Sequence, residues 1–154
     1  MDLKGKKLVI ATMHRKEQVI SHVFEKELGV KSHVVDGLNT DEFGTFSGEK
    51  FRLSDAVNTA RMKCHRAMDF MDGDLFVASE GSFGPHPELF YTALAEEVLF
   101  FAMPSAGLEI VVKHLSLNTN FGQLETTDYE EAFDFASKHF FPSHQLILSA
   151  ASGD

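Results

Sequence analysis

The chain has 154 residues, 44% hydrophobic and 24% charged, with a net charge of −9, which is the composition of an ordinary globular protein able to bury a sizeable core. The acidic balance argues against a nucleic-acid backbone or an anionic membrane as the main partner. No apolar run reaches the ~20 residues of a membrane span, and the single cysteine, Cys64, excludes an intrachain disulfide and a Cys-rich zinc site.

One α/β domain over residues 1–154 is expected. Its core must lean on phenylalanine, because there are 15 Phe, 2 Tyr and no Trp. Lys4, Lys6 and Lys7 precede only a short apolar run, residues 8–11, too brief for a signal-peptide core, so a cytoplasmic location is expected. That run is the first predicted strand. The turn Thr12-Met13-His14-Arg15-Lys16-Glu17 follows, and then Val19, Ile20, Val23, Phe24 and Leu28 recur at helical spacing until Gly29 stops the helix. Exposed N–H groups at a helix start, beside a hydroxyl and two cations, make a natural anion site. Thr12, His14, Arg15 and Lys16 are therefore candidates for binding phosphate. The alternative is capping by Thr12 with Arg15 and Lys16 solvated.

Residues 33–35 form the second predicted strand. The polar, glycine-bearing stretch 37–48 is long for a loop. Asp41 within it and Glu49 beyond it are candidate metal ligands, the alternative being two solvated acids. Ser54 is the expected N-cap of the second helix. Val57, Ala60, Cys64, Ala67, Met68 and Met71 form its buried stripe, so Cys64 reads as a small core hydrophobe. Arg61 and His65, four apart, share another face. Gly73 is the expected stop.

Residues 75–78 have the length and content of a buried strand. Ser79-Glu80-Gly81-Ser82-Phe83-Gly84-Pro85-His86-Pro87 reads as a loop at its carboxyl end, where ligands sit in α/β sheets. Gly81 and Gly84 permit close backbone approach, and the prolines stiffen the segment. Ser79, Glu80, Ser82 and His86 are its chemical groups. A tight turn whose glycines serve geometry alone is the competing reading.

Residues 89–94 and 98–103 are strand-like, separated by Glu96-Glu97. Pro104-Ser105-Ala106-Gly107 is a turn signal, and 108–117 is β-branched, which together predict an antiparallel meander. Asn118 and Asn120 mark a second candidate ligand edge. Thr127-Asp128-Tyr129-Glu130 resembles a capping box opening a helix with Phe133, Ala136 and Phe140 on its apolar face, ended by Pro142. Residues 146–148 are a last expected short strand.

The stretches Ala11-Thr12-Met13-His14-Arg15-Lys16-Glu17, Asp41-Glu42-Phe43-Gly44-Thr45-Phe46-Ser47-Gly48-Glu49 and Ser79 through Pro87 resemble a bacterial family of unassigned function. More distantly, the order of pieces resembles the inosine-triphosphate-pyrophosphatase-like superfamily, including the Maf proteins and the inosine/xanthosine triphosphatases. Ala11-Thr12 with Lys16, Ala60-Arg61-Met62-Lys63-Cys64 and Ala78-Ser79-Glu80-Gly81 occupy, in order, the places of that superfamily's motifs. His14 stands where the superfamily has Asn, Lys16 comes one position early, and Glu80 alone replaces a frequent acidic pair. The resemblance implies a three-layer α/β fold with a mixed central sheet: βα units, then a β-meander and a C-terminal helix. It also implies that Lys16 holds phosphates and that Glu80 binds Mg²⁺ or activates water.

Hydrolysis of a phosphoanhydride needs donors for the phosphates, a metal to offset charge, and a group that orients water. Thr12, Arg15 and Lys16 suit the first, Glu80 with Asp41 or Glu49 the second, and His86 the proton transfer. His14 and His86 lack the tight spacing of a zinc pair, which leaves zinc the less favoured alternative to the Mg²⁺ that the resemblance implies. The expected function is a Mg²⁺-dependent hydrolase of a nucleoside triphosphate or related phosphoanhydride. Two alternatives stand beside it. One is a non-catalytic sensor of a phosphorylated metabolite, which the missing acidic pair favours. The other is a homodimeric interaction domain using the Phe100-Phe101 hairpin.

Overall fold

Short β-branched segments alternate with two amphipathic helices early in the chain, and antiparallel strands follow. The computed structural model describes residues 2–12, 16–35, 55–85, 88 and 92–149. Its elements are β1 (Lys7–Ile10), α1 (Lys16–Leu28), β2 (Lys31–Val34), α2 (Ala56–Phe70), β3 (Leu75–Pro85), β4 (Ala93–Met103), β5 (Leu108–Ser116) and α3 (Tyr129–Lys138). Five strands form one sheet in the order β2-β1-β3-β4-β5. β1 is parallel to β2 and to β3, with Leu8 level with Ser32 on one side and Leu75 on the other. The links from β3 to β4 and from β4 to β5 are too short for a parallel crossover. Those pairs are antiparallel, and the sheet is mixed, as expected. Two compact units divide the chain: Met1–Ser82 with Glu96–Leu115, and Phe83–Ala95 with Ser116–Asp154.

The first unit is layered. β1 is apolar throughout, so alternate side chains enter two cores. Val9, Phe76, Ala78, Val98, Phe100 and Ala102 pack against Ala60, Cys64 and Ala67 of α2. Leu8, Ile10, Leu75, Val77 and Met103 pack on the other face with Ile20 and Phe24 of α1. Phe100 is fully buried, and burying a side chain of that size contributes about 1.5–3 kcal/mol. Gly29 closes α1 with φ +67 and an N–H to Glu25 O, the left-handed ending that glycine adopts without strain.

Several boundaries differ from the sequence reading. The 89–94 and 98–103 segments are not two strands divided by Glu96-Glu97, because both acids lie within β4. Phe100 and Phe101 do not form an exposed face. Phe100 lies under α2, with Arg61 over its ring, and Phe101 stacks on Phe24. On α1 only Ile20 and Phe24 reach the sheet, while Val19, Val23 and Leu28 stay exposed. A helix touches a flat sheet along a narrow line, so a wide apolar stripe is only partly covered.

The N-cap of α2 is Asp55, which accepts from Asn58 N at 2.8 Å, and the helix ends at Phe70 before Gly73 is reached. In the second unit Asp128 caps α3 by accepting from Glu131 N, and Thr126 Oγ1 donates to Glu131. Of Phe133, Ala136 and Phe140 only Ala136 is buried. Residues 146–148 are not a strand: three apolar residues form none without a neighbouring strand to pair with, and Ile147 and Leu148 are exposed. No helix among the described residues is long and apolar enough to cross a membrane.

Candidate functional site

The site is built where β1 stops and β3 continues. Ala11 N donates to Val77 O at 2.8 Å, just past the end of β1 at Ile10. Beyond that point Thr12 Oγ1 and Ser79 Oγ lie 3.2 Å apart, both buried. β3 runs on to Pro85, so residues 79–85 are strand rather than the expected loop. They stay in the sheet because β4 lies on their other side, although their parallel neighbour has ended.

Strand alternation sorts the side chains beyond that end onto two faces. Leu75 and Val77 face α1, and so do Ser79 and Gly81. Lys16, the first residue of α1, donates from Nζ to Glu97 Oε1 at 2.7 Å and Oε2 at 2.9 Å. A Cβ on Gly81 would stand 2.7 Å from Glu97 Oε2 and 3.2 Å from Lys16 Nζ. Glycine is what lets the pair close over the strand. Thr12, Lys16, Ser79, Gly81 and Glu97 therefore share one face at one edge.

Glu80 is on the other face, where Lys63 Nζ of α2 donates to its Oε2 at 2.5 Å. The exposures separate the two ion pairs. The Lys63 and Glu80 side chains are 11% and 6% exposed, whereas those of Lys16 and Glu97 are 40% and 46% exposed. An exposed pair contributes about 0–1 kcal/mol. A buried pair offsets its own desolvation and is costly to break from one side.

The structure thus brings Thr12, Lys16 and Ser79 together, with Glu80 at the same strand level but turned to the α2 side. Ser82 and Gly84 follow in β3, both half-buried. Arg61 is engaged elsewhere, donating to Glu109 Oε2 at 3.1 Å and Asn58 Oδ1 at 2.8 Å. His65 Nε2 lies 3.3 Å from Glu109 Oε1, so the shared face of Arg61 and His65 serves β5. Asn118 and Asn120 belong to the second unit, where Asn120 O accepts from the ring of His139 at 2.7 Å. His14, Arg15, Asp41, Glu49 and His86 lie outside the described residues. A depression of about 430 Å³ lined by His65, Met68, Ala102 and Pro104 lies toward the other end of β4 from Glu97.

Two contributors escaped the sequence reading as site residues. Lys63 falls within the buried stripe of α2, between Ala60 and Ala67, and a lysine in that position signals a paired charge. Glu97 shares a strand face with Leu99 and Phe101 and ends that apolar row. Its signal was hidden by reading the two acids as a break. Cys64 is a core residue, as expected: burial, and secondarily Glu109, push its thiol well above the ordinary range.

Among the described residues no group of three His, Cys, Asp or Glu gathers as a metal cluster. One oxygen of Glu80, Oε2, already accepts from the Lys63 ammonium. Glu17, one residue along α1 from Lys16, has Oε2 shielded from solvent with no hydrogen-bond partner among the described residues.

A family model described as "Domain of unknown function (DUF6671)" matches residues 63–154, more than half of the chain. The chain belongs to the DUF6671 family. A family without an assigned function is what the motifs led us to expect. In this DUF6671 chain Lys63, Ser79, Glu80, Gly81 and Glu97 fall inside the matched segment, whereas Thr12 and Lys16 precede it. No curated protein matches the chain.

Proposed function

We propose that the edge where β1 stops binds the phosphate groups of a small phosphorylated ligand of the nucleotide class. The observation that carries this reading is Lys16, at the start of α1, held on the same sheet face as the Thr12 and Ser79 hydroxyls. An ammonium, two hydroxyls and the N–H groups of a helix start are the donors that phosphate oxygens accept from. The two carboxylate oxygens of Glu97 occupy, on Lys16, the place that a phosphate would take. The net charge of −9 favours a small ligand over a nucleic-acid polymer.

A second reading keeps the expected Mg²⁺-dependent hydrolysis of a nucleoside triphosphate, as the likeness to the inosine-triphosphate-pyrophosphatase-like superfamily implies. The Oε2 of Glu17, unpartnered among the described residues, favours it. Mg²⁺ commonly takes one or two protein carboxylates and completes its shell with waters and phosphates. Glu17 would be one such carboxylate, and the ion would offset phosphate charge.

Thermal melting with inorganic pyrophosphate and a panel of nucleoside triphosphates, with and without Mg²⁺, separates the readings. A ligand at a hundred times its Kd stabilises by about 2.7 kcal/mol, roughly 5–10 °C for a chain of this size. A metal-independent rise supports binding alone. A rise that needs Mg²⁺, accompanied by release of pyrophosphate or phosphate, supports hydrolysis. No rise with any phosphate ligand overturns both.

A further inference from the structure

We propose that β5 pairs antiparallel with β5 of a second copy of this chain, Val111 against Val111, joining two sheets into one around a two-fold axis. This is independent of the phosphate reading. β5 is the last strand in the sheet order, and every residue from Leu108 to Leu115 is exposed. A long apolar edge strand left in water is a pairing template. β5 has no proline to blunt it, and up to Leu115 only Glu109, Lys113 and His114 interrupt its apolar residues.

The charges choose the occupant and the register. Side chains alternate, so Glu109, Val111, Lys113 and Leu115 share one face and Leu108, Ile110, Val112 and His114 the other. A two-fold axis perpendicular to the sheet keeps each face on its own side, which restricts self-pairing to registers centred on a residue. Centring on residue 109 sets Glu109 against Glu109, and centring on 113 sets Lys113 against Lys113. Both oppose like charges directly. Centring on 110 or 112 leaves the charges facing apolar or glycine positions. Only the register centred on Val111 sets Glu109 against Lys113 of the second copy, and Lys113 against its Glu109. On the other face the same register places Ile110 opposite Val112 and Leu108 opposite His114, making one apolar row across the junction. Within its own chain Glu109 already meets Arg61 and His65, and Lys113 meets Glu96 at 3.0 Å. Both charges are therefore held at the edge.

Sedimentation of the full chain over a dilution series tests this. The wild-type protein is expected to be a reversible dimer. Lys113→Glu sets like charges opposite each other twice, and its dissociation constant should rise about tenfold or more while the variant still melts cooperatively as a folded chain. The exchanged variant Glu109→Lys/Lys113→Glu should restore the dimer. Val111→Cys should give a covalent dimer under a mild oxidant, because the buried Cys64 does not compete. A wild-type monomer at every concentration, or a dimer that Lys113→Glu leaves unchanged and Val111→Cys does not cross-link, overturns the proposal.

Discussion

Replacing Lys63 by Met should destabilise the protein far more than replacing Lys16 by Ala, although each lysine holds one glutamate. The difference lies in burial. Lys63 and Glu80 are 11% and 6% exposed, so removing the ammonium takes a counter-charge from a carboxylate buried against α2. Breaking such a pair from one side costs about 3–5 kcal/mol, roughly 6–20 °C in melting temperature for a chain of this length. Lys16 and Glu97 are 40% and 46% exposed, and water replaces the lost partner for no more than about 1 kcal/mol. Urea unfolding of Lys63→Met, Glu80→Leu and the double variant closes a thermodynamic cycle. The double variant should recover much of the loss, because neither charge remains buried. A Lys63→Met loss below about 1 kcal/mol, or a double variant that loses the sum of the singles, would refute the assignment of the pair as a buried structural tie.

Gly81→Ala should leave stability within about 1 kcal/mol of wild type, since the groups its Cβ meets are the ends of flexible side chains. It should still weaken binding of pyrophosphate, because the added methyl stands 3.2 Å from Lys16 Nζ and pushes the ammonium off the strand, and titration calorimetry reads this directly. Asp55→Ala, which removes the acceptor for Asn58 N, should cost about 1 kcal/mol in urea unfolding. Native Cys64 should resist alkylation at pH 8 and react once the chain is unfolded, as followed by mass spectrometry. The folded thiol titrates above its ordinary value of 9.0, so the unfolded chain releases this proton first. Stability should fall as pH rises through about 9, by at most about 1.4 kcal/mol per unit, and Cys64→Ala should lack that slope.

The parallel part of the fold was legible because β1 and the start of β3 are apolar on both faces and each of the first two helices has a stripe. Residues 8–11, the helix stop at Gly29 and the core position of Cys64 carry strong local signals. The course of β3 beyond Ala78 was not legible. Glycine, serine and proline after a strand look like a loop, and only the presence of β4 alongside keeps 79–85 in the sheet. The same tertiary cause hid Glu97, which reads as a break until its alternation with Leu99 and Phe101 is placed against α1. Thr12, Lys16 and Ser79 stand out by local chemistry alone, as two hydroxyls and an ammonium beside strand ends. That Glu80 turns to the opposite face follows from strand parity, which a loop reading of residues 79–81 conceals. Exposure of Val19 and Val23 shows the limit of periodicity: it gives the stripe but not the width that the sheet covers.

The most direct measurement of the central claim is calorimetric titration of pyrophosphate into the wild-type chain, Lys16→Ala and Thr12→Val, each first shown by its melting curve to be folded. Binding to the wild type and at least about a tenfold loss in Lys16→Ala, equivalent to about 1.4 kcal/mol, with a smaller loss in Thr12→Val, are the results expected of a phosphate site on the α1 face. Equal affinity in all three proteins would place the anion elsewhere and contradict the account.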